Sequence, residues 1–193
     1  MTNDGSSSLV EVLRGLSRAS AIAYSHYEID SACLNIKERP GIMPWIDPVV
    51  ADLYRQLTAA NIQFDAVAAI PTGGYVWADA LASLASRVEG RTVPSLKLLK
   101  LYSYEYGVSG GQMPAGSKLL VVDDTIYQGH AARAAINPLE GAGYKIVAFA
   151  FPVDIGGTGA RGLTGRRFKT FSTFNSAFLK RPEVRTVLFN FPR

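Results

Sequence analysis

Two adjacent aspartates, Asp123 and Asp124, close the apolar run Leu119-Leu120-Val121-Val122. Carboxylates at the end of a buried strand are costly unless a cation or a hydroxyl donor meets them. The residues that follow, Thr125-Ile126-Tyr127-Gln128-Gly129-His130, bring a glycine to the start of a helical pattern. Unpaired backbone N–H groups and the helix dipole favour a phosphate there. Carboxylates that accept from sugar hydroxyls, beside amides that hold a phosphate, suit a ribose 5-phosphate. The plainer alternative is that Asp123 and Asp124 only cap the helix.

A second segment, Pro71-Thr72-Gly73-Gly74, follows another apolar run, Phe64 to Ile70. Glycines at a strand-to-helix turn let backbone amides come close to an anion. A simple tight turn uses the same residues, so this signal gains force only from the aspartate pair in a second unit of the same kind. Open α/β sheets bind ligands at the carboxyl ends of their strands, which is where both segments fall.

The elements that must hold these loops follow from periodicity. Leu9 to Ile22 spaces its apolar residues as an amphipathic helix, and Tyr24 to Ile36 reads as a strand with its loop. A helix starts near Trp45 or Asp47 and ends near Asn61. The strand through Ile70 feeds a helix over Tyr75 to Arg87, and Lys118 to Val122 feeds one from about Gln128 to Gly141. Further strands are expected over Thr92 to Lys100, Lys145 to Pro152 and Phe168 to Thr173, with a short helix at the C-terminus. Leu101 to Met113 reads as a long binding loop or lid, and the glycines between Gly156 and Gly165 suggest another mobile stretch. Continuous apolar runs alternating with helices predict an α/β fold, a doubly wound and mostly parallel sheet with helices on both faces.

With 193 residues, 48 % hydrophobic and 19 % charged, the chain is expected to form a single domain over 1–193 and is too apolar for disorder. The net charge of +4 is mild, and its basic residues are scattered apart from Arg161 to Lys169, which reads as a solvated loop. Nucleic acid is therefore not an expected partner. A lone Cys33 excludes an intramolecular disulfide, and two histidines, His26 and His130, exclude a zinc cluster. With neither a signal-like start nor an apolar run of about 20 residues, a soluble, cytoplasmic chain without a membrane partner is expected. Trp45 and Trp77 read as core or interface anchors, and His26 as a structural residue.

The stretch LLVVDDTIYQG resembles the signature of the type I phosphoribosyltransferases: four apolar residues, two acidic ones, and a short loop ending in Gly before a helix. The layout is most similar to that of the orotate-using members. The resemblance implies the type I phosphoribosyltransferase fold with a small N-terminal hood, built from about 9–40 and a C-terminal segment. It also implies a Mg²⁺-dependent transfer of ribose 5-phosphate between phosphoribosyl pyrophosphate and a nitrogenous base, with a nucleotide on the other side of the reaction. Asp123 and Asp124 would bind the ribose hydroxyls, steady the developing oxocarbenium ion and help hold Mg²⁺ through the substrate. Thr125, Ile126, Tyr127, Gln128, Gly129 and His130 would hold the 5-phosphate, and Pro71, Thr72, Gly73 and Gly74 the pyrophosphate. Lys100 would serve catalysis from a flexible loop that completes a neighbouring subunit's site in a homodimer. Tyr27, Asp154 and Ile155 match positions near the base.

The departures are specific. Tyr127, Gln128 and His130 stand where the family carries small hydroxylated residues, and the loop KLYSYEYG keeps only Lys100 of an expected basic set. Ile155 replaces the arginine that would pair with the orotate carboxylate, so a neutral base is expected in place of orotate. Loss of the loop cations leaves open a nucleotide-binding regulatory protein without turnover, or a nucleotide-cleaving hydrolase using the same pocket.

Overall fold

Two of the apolar runs lie side by side, β3 (Ala66–Ala69) parallel to β6 (Lys118–Val122), in a register from Ala66 opposite Leu119 to Ala69 opposite Val122. The computed structural model describes residues 9–15, 22–25, 33–36, 43–102, 105–109 and 113–189. Before β3 come α1 (9–15), β1 (Ile22–Ser25), β2 (Cys33–Ile36) and α2 (Met43–Ala59). Between β3 and β6 lie α3 (Gly74–Glu89), β4 (Ser95–Tyr102) and β5 (Glu105–Ser109). After β6 come β7 (Thr125–Ile126), α4 (His130–Gly141), β8 (Lys145–Asp154), α5 (Gly159–Thr164), β9 (Lys169–Phe174), α6 (Ser176–Leu179) and α7 (Pro182–Phe189).

The main sheet runs β5-β4-β3-β6-β8, and β7 and β9 also pair with β8. Only β5 is antiparallel to its neighbour. The chain leaves β3 through α3 to reach β4 on one side, whereas it leaves β6 through α4 to reach β8 on the other. Strand order therefore reverses between β3 and β6, which opens a crevice at their carboxyl ends.

Alternation along each strand divides the core between the two faces. Val67, Ala69, Leu120, Val122 and Ala148 pack with Leu13 of α1, Leu53 of α2 and Trp77 of α3. Ala66, Ala68, Leu119, Val121 and Phe149 face Ala135 and Leu139 of α4 and Leu163 of α5. Both faces are dry, so the strands read as unbroken apolar runs.

Several expectations need correction. Ile22 opens a strand and not the end of the first helix, and Tyr24 to Ile36 supplies two strands, β1 and β2, paired antiparallel. The expected long loop after Lys100 is largely a hairpin: β5 returns along β4, with Lys100 opposite Tyr106. Tyr106 is buried there, packed in the same core cluster as Leu96 and Leu98, while Tyr102 at the end of β4 stays exposed. The glycine stretch after Asp154 is also ordered, since it contains α5 and buries Gly159. Trp77 is fully buried and so belongs to the core, not to an interface. Trp45 is half-buried against Gly15, where any side chain would meet its indole ring. Tyr27 and His26 lie outside the described residues. Among those described, no helix is long and apolar enough to cross a membrane.

Candidate active site

After Val122 the chain leaves β6 for two residues and then resumes beside β8 as β7. The register is unchanged across this gap, with Val122 opposite Ala150 and Thr125 opposite Val153. Backbone bonds pin the two aspartates within it: Asp123 N donates to Ala150 O at 3.3 Å, and Val153 N donates to Asp124 O at 3.2 Å. Their carboxylates thus stand at the crevice where strand order reverses. Asp124 N also donates to Asp123 Oδ1 at 2.9 Å. Burial pushes the Asp123 carboxyl well above the usual carboxylate range, and the Asp124 charge beside it pushes the same way. Burial also raises Asp124. No described cation pairs with either side chain in an ion pair. The pair is electrostatically incomplete, which is the state that hydroxyl donors or a divalent ion would relieve.

The glycine turn faces Asp124 from the neighbouring strand. Ile70 N donates to Val122 O at 2.9 Å, which ties the end of β3 to the end of β6. The Pro71–Thr72 peptide is cis, and Gly73 and Gly74 then start α3 without a side-chain cap. A Cβ at Gly74 would lie 2.5 Å from Val122 O, so only glycine lets the turn settle against β6. Tyr75, one residue on, donates its hydroxyl to Leu98 O on β4 at 2.6 Å.

On the other side of the aspartates lies a cavity of about 240 Å³, lined by Asp123, Thr125, Tyr127, Gln128, His130 and Phe151 among others. It ends at Gly129, whose φ of 71° suits glycine, and at the first turn of α4, which no side chain caps. The Tyr127 ring leans toward Gly157, where a Cβ would come 2.6 Å from it, and the residue also lines the cavity. Ile126 reaches the cavity but is only 2 % exposed and serves chiefly the α4 core. A larger cavity of about 530 Å³, among Tyr54, Asp65, Glu89, Arg91 and Lys118, sits at the amino ends of β3 and β6. It is far from the aspartates, and several of its polar groups already pair: Tyr54 with Glu89, Arg91 with Glu89, and Asp65 with the Lys118 N–H.

The structure therefore brings together Asp123, Asp124, Gly73, Gly74 and the loop from Thr125 to His130. Asp154 and Ile155 stand one strand away, with Asp154 opposite Ile126. The Asp154 carboxylate accepts from Gly156 N at 2.8 Å, and Ile155 packs toward the α1–α3 core. β2 lies against β7, which puts the N-terminal hairpin beside the cavity. Lys100 is exposed on the β4–β5 hairpin and forms no ion pair with either aspartate. The sequence did not signal the supports behind the loop. Gly159 N donates to Tyr127 O at 2.8 Å, and Arg133 of α4 donates to Gln128 O at 2.7 Å. The close glycine spacing at 156, 157 and 159 was the available clue.

A family model described as "Phosphoribosyl transferase domain" matches residues 34–164, a span that holds both loops and the aspartate pair. The chain belongs to the phosphoribosyltransferase family. It is 32 % identical over 141 residues to an adenine phosphoribosyltransferase of Clavibacter sepedonicus, covering 64 % of this chain and 73 % of the relative. It is 36 % identical over 113 residues to that of Kineococcus radiotolerans, covering 53 % and 60 %. Among solved structures, the orotate phosphoribosyltransferase of Aeropyrum pernix superposes with a TM-score of 0.68 at 21 % identity, over 89 % of this chain and 97 % of that one. The Mycobacterium tuberculosis orotate phosphoribosyltransferase in complex with phosphoribosyl pyrophosphate gives 0.64 at 22 % identity, over 92 % and 99 %. These structures establish the phosphoribosyltransferase fold for this chain. The sequence relatives are named for adenine and the similar structures for orotate or adenine, so the family is settled more finely than the base.

Proposed function

We propose that the protein transfers ribose 5-phosphate between phosphoribosyl pyrophosphate and a neutral nucleobase. The carrying observation is the buried Asp123 beside the half-buried Asp124, with the glycine turn packed on Asp124 and a cavity of about 240 Å³ lined by Asp123. The carboxylates accept from the ribose 2- and 3-hydroxyls, and their charge stabilises the positive ring that develops as the pyrophosphate leaves. The amides of Thr72 and Gly73 hold the leaving group at the α3 N-terminus, where Gly74 N donates to Ile70 O and shapes the turn, while Thr125 to His130 hold the 5-phosphate.

Mg²⁺ fits this donor set only in part. Asp123 and Asp124 offer hard oxygen ligands, but among the described residues no group of three or more carboxylate, His or Cys side chains converges on a metal site. The ion would therefore be held jointly by substrate oxygens and the aspartates, and it would supply charge for the diphosphate.

Base preference follows from the end of β8. The Asp154 carboxylate stands there, and Ile155, packed toward the α1–α3 core, supplies no cation, so an anionic base such as orotate would meet like charge. The adenine named in the sequence relatives supports a neutral base, and adenine is the first to test. Calorimetry with phosphoribosyl pyrophosphate and Mg²⁺, followed by pyrophosphate release against adenine, other neutral bases and orotate, tests the reading. Release with a neutral base and not with orotate is expected; absence of binding at millimolar ligand overturns it.

One observation favours a second reading, a sensor that binds the activated sugar without turnover. Lys100 lies on a folded hairpin, and Tyr106, where a basic residue is expected, is buried. Tight binding without pyrophosphate release from any base would select this reading. The homodimer expected from the family is part of the proposal, and sedimentation at micromolar concentration measures it.

A further inference from the structure

We propose that Arg133 is a positioning residue that holds His130 as its Nε2–H tautomer at the mouth of the phosphate cavity. The inference rests on the transferase reading for the identity of the ligand. Arginine carries only donors, so the contact between Arg133 Nη2 and His130 Nδ1 at 3.2 Å requires Nδ1 to accept. The ring proton must then sit on Nε2, and Nε2 lies 2.9 Å from an acceptor, Gln128 Oε1. Donors and acceptors thus alternate in one direction, from Arg133 through His130 to Gln128.

The guanidinium is fixed for this task. Its Nη1 donates to Gln128 O at 2.7 Å while Nη2 meets the imidazole, and a planar fork that makes both bonds has little freedom left. Arg133 Nη1 lies close against Gly129, where a Cβ would stand 3.3 Å from it. Gln128 and His130 line the cavity and Arg133 does not, so Arg133 acts through its neighbours. The consequence is chemical: a free imidazole in water interchanges its tautomers, whereas this one always turns an N–H donor toward the loop. A phosphate oxygen entering the cavity takes over that donor from Gln128 Oε1.

The chain contains two histidines, so long-range nitrogen–proton NMR can read each ring, with His26→Gln assigning the signals. A bare Nδ1 and a protonated Nε2 are expected for His130 at neutral pH. Arg133→Met should give a mixed tautomer, and Arg133→Lys should restore the single one. Calorimetry with ribose 5-phosphate should show about tenfold weaker binding for Arg133→Met, the size of one good hydrogen bond. In a His130→Ala background the same change should cost less than about threefold, because coupled partners do not add. An Nδ1–H tautomer in the unaltered protein, or an unchanged tautomer in Arg133→Met, overturns the proposal. So does a tautomer change that leaves ribose 5-phosphate affinity unmoved. Unaltered protein that binds no ribose 5-phosphate overturns the transferase reading instead, and the tautomer measurement alone then decides what Arg133 does.

Discussion

Gly73 lies against Asp124 so closely that a Cβ on Gly73 would come within 3.0 Å of both carboxylate oxygens. The turn that is to hold pyrophosphate and the side chain that is to hold ribose therefore share one van der Waals boundary. Gly73→Ala should displace the Asp124 carboxylate from the crevice while leaving the strands intact. Binding of phosphoribosyl pyrophosphate with Mg²⁺ should weaken at least about tenfold, a loss of roughly 1.4 kcal/mol. The thermal midpoint should change little, because a side-chain carboxylate yields more easily than a backbone. Gly74→Ala meets the Val122 carbonyl instead, and should cost about 1–3 kcal/mol of stability as an overpacked position. Calorimetry and thermal unfolding of the two variants separate these effects.

Asp123 predicts a pH-dependent stability with a definite sign. Its folded-state carboxyl titrates above the ordinary value because it is buried beside Asp124. Between those two values the unfolded chain ionises and the folded one does not, so stability is complete at acid pH and is lost as pH rises through the raised value. Asp123→Asn removes the group that titrates. Thermal unfolding should show the variant more stable by about 3 °C or more at pH 8, a shift that matches roughly 1 kcal/mol in a chain of this size. The two proteins should converge near pH 4. The same substitution should weaken binding of phosphoribosyl pyrophosphate, since an amide accepts hydroxyl protons less strongly than a carboxylate. A variant that is both more stable and less competent is the usual mark of a functional site.

The central site was legible where its chemistry is contiguous. Lys118 to Gly141 carries strand, acidic pair, candidate phosphate loop and helix in one stretch, and each is signalled by local residue type. The strand Lys118–Val122 matches its expected bounds, and α4 starts two residues after the expected Gln128. What stayed hidden depends on residues brought together by the sheet. Gly73 reads as an ordinary turn glycine until β3 and β6 are neighbours. Gly157 and Gly159 suggest mobility by composition, yet they are glycines because the phosphate loop passes directly over them. The β4–β5 hairpin was obscured by Gly107 and by polar residues, which made Leu101 to Met113 read as a loop. Arg133 gives no local sign of its role, since its partners are set by how α4 packs.

Tyr75 links the glycine turn to β4, and its loss should be felt at the hairpin that carries Lys100. Its hydroxyl donates to Leu98 O at 2.6 Å, and Lys97 Nζ sits 5.3 Å from the centre of its ring while pairing with Asp79 at 3.1 Å. Tyr75→Phe keeps the ring and the cation contact and deletes one hydrogen bond, a cost of about 1 kcal/mol. Hydrogen exchange should quicken along β4 and β5 and stay unchanged in β6 and β8. If Lys100 acts on the leaving pyrophosphate, kcat falls in this variant while ribose 5-phosphate affinity holds. Unchanged exchange in the hairpin would show that Tyr75 does not tether it.

Gly159 and Gly162 lie three residues apart in α5 and should respond in opposite ways to the same substitution. A Cβ at Gly159 would come 2.7 Å from Gly129 N and 2.8 Å from Tyr127 O, both of them backbone atoms of the phosphate loop. That loop cannot move aside without breaking the bond from Gly159 N to Tyr127 O. Gly159→Ala should therefore cost about 1–3 kcal/mol and lower the thermal midpoint by several degrees. It should also weaken ribose 5-phosphate binding more than it weakens binding of pyrophosphate alone, because the damage is confined to one side of the aspartates. At Gly162 the nearest atom is Arg133 Nη1 at 3.4 Å, an ordinary van der Waals contact that needs no atom to move. Alanine there gains helix propensity of roughly 0.5–1 kcal/mol, so Gly162→Ala should leave stability unchanged or slightly raised. Equal damage from both substitutions would mean that α5 as a whole, and not the contact between Gly159 and Gly129, supports the phosphate loop.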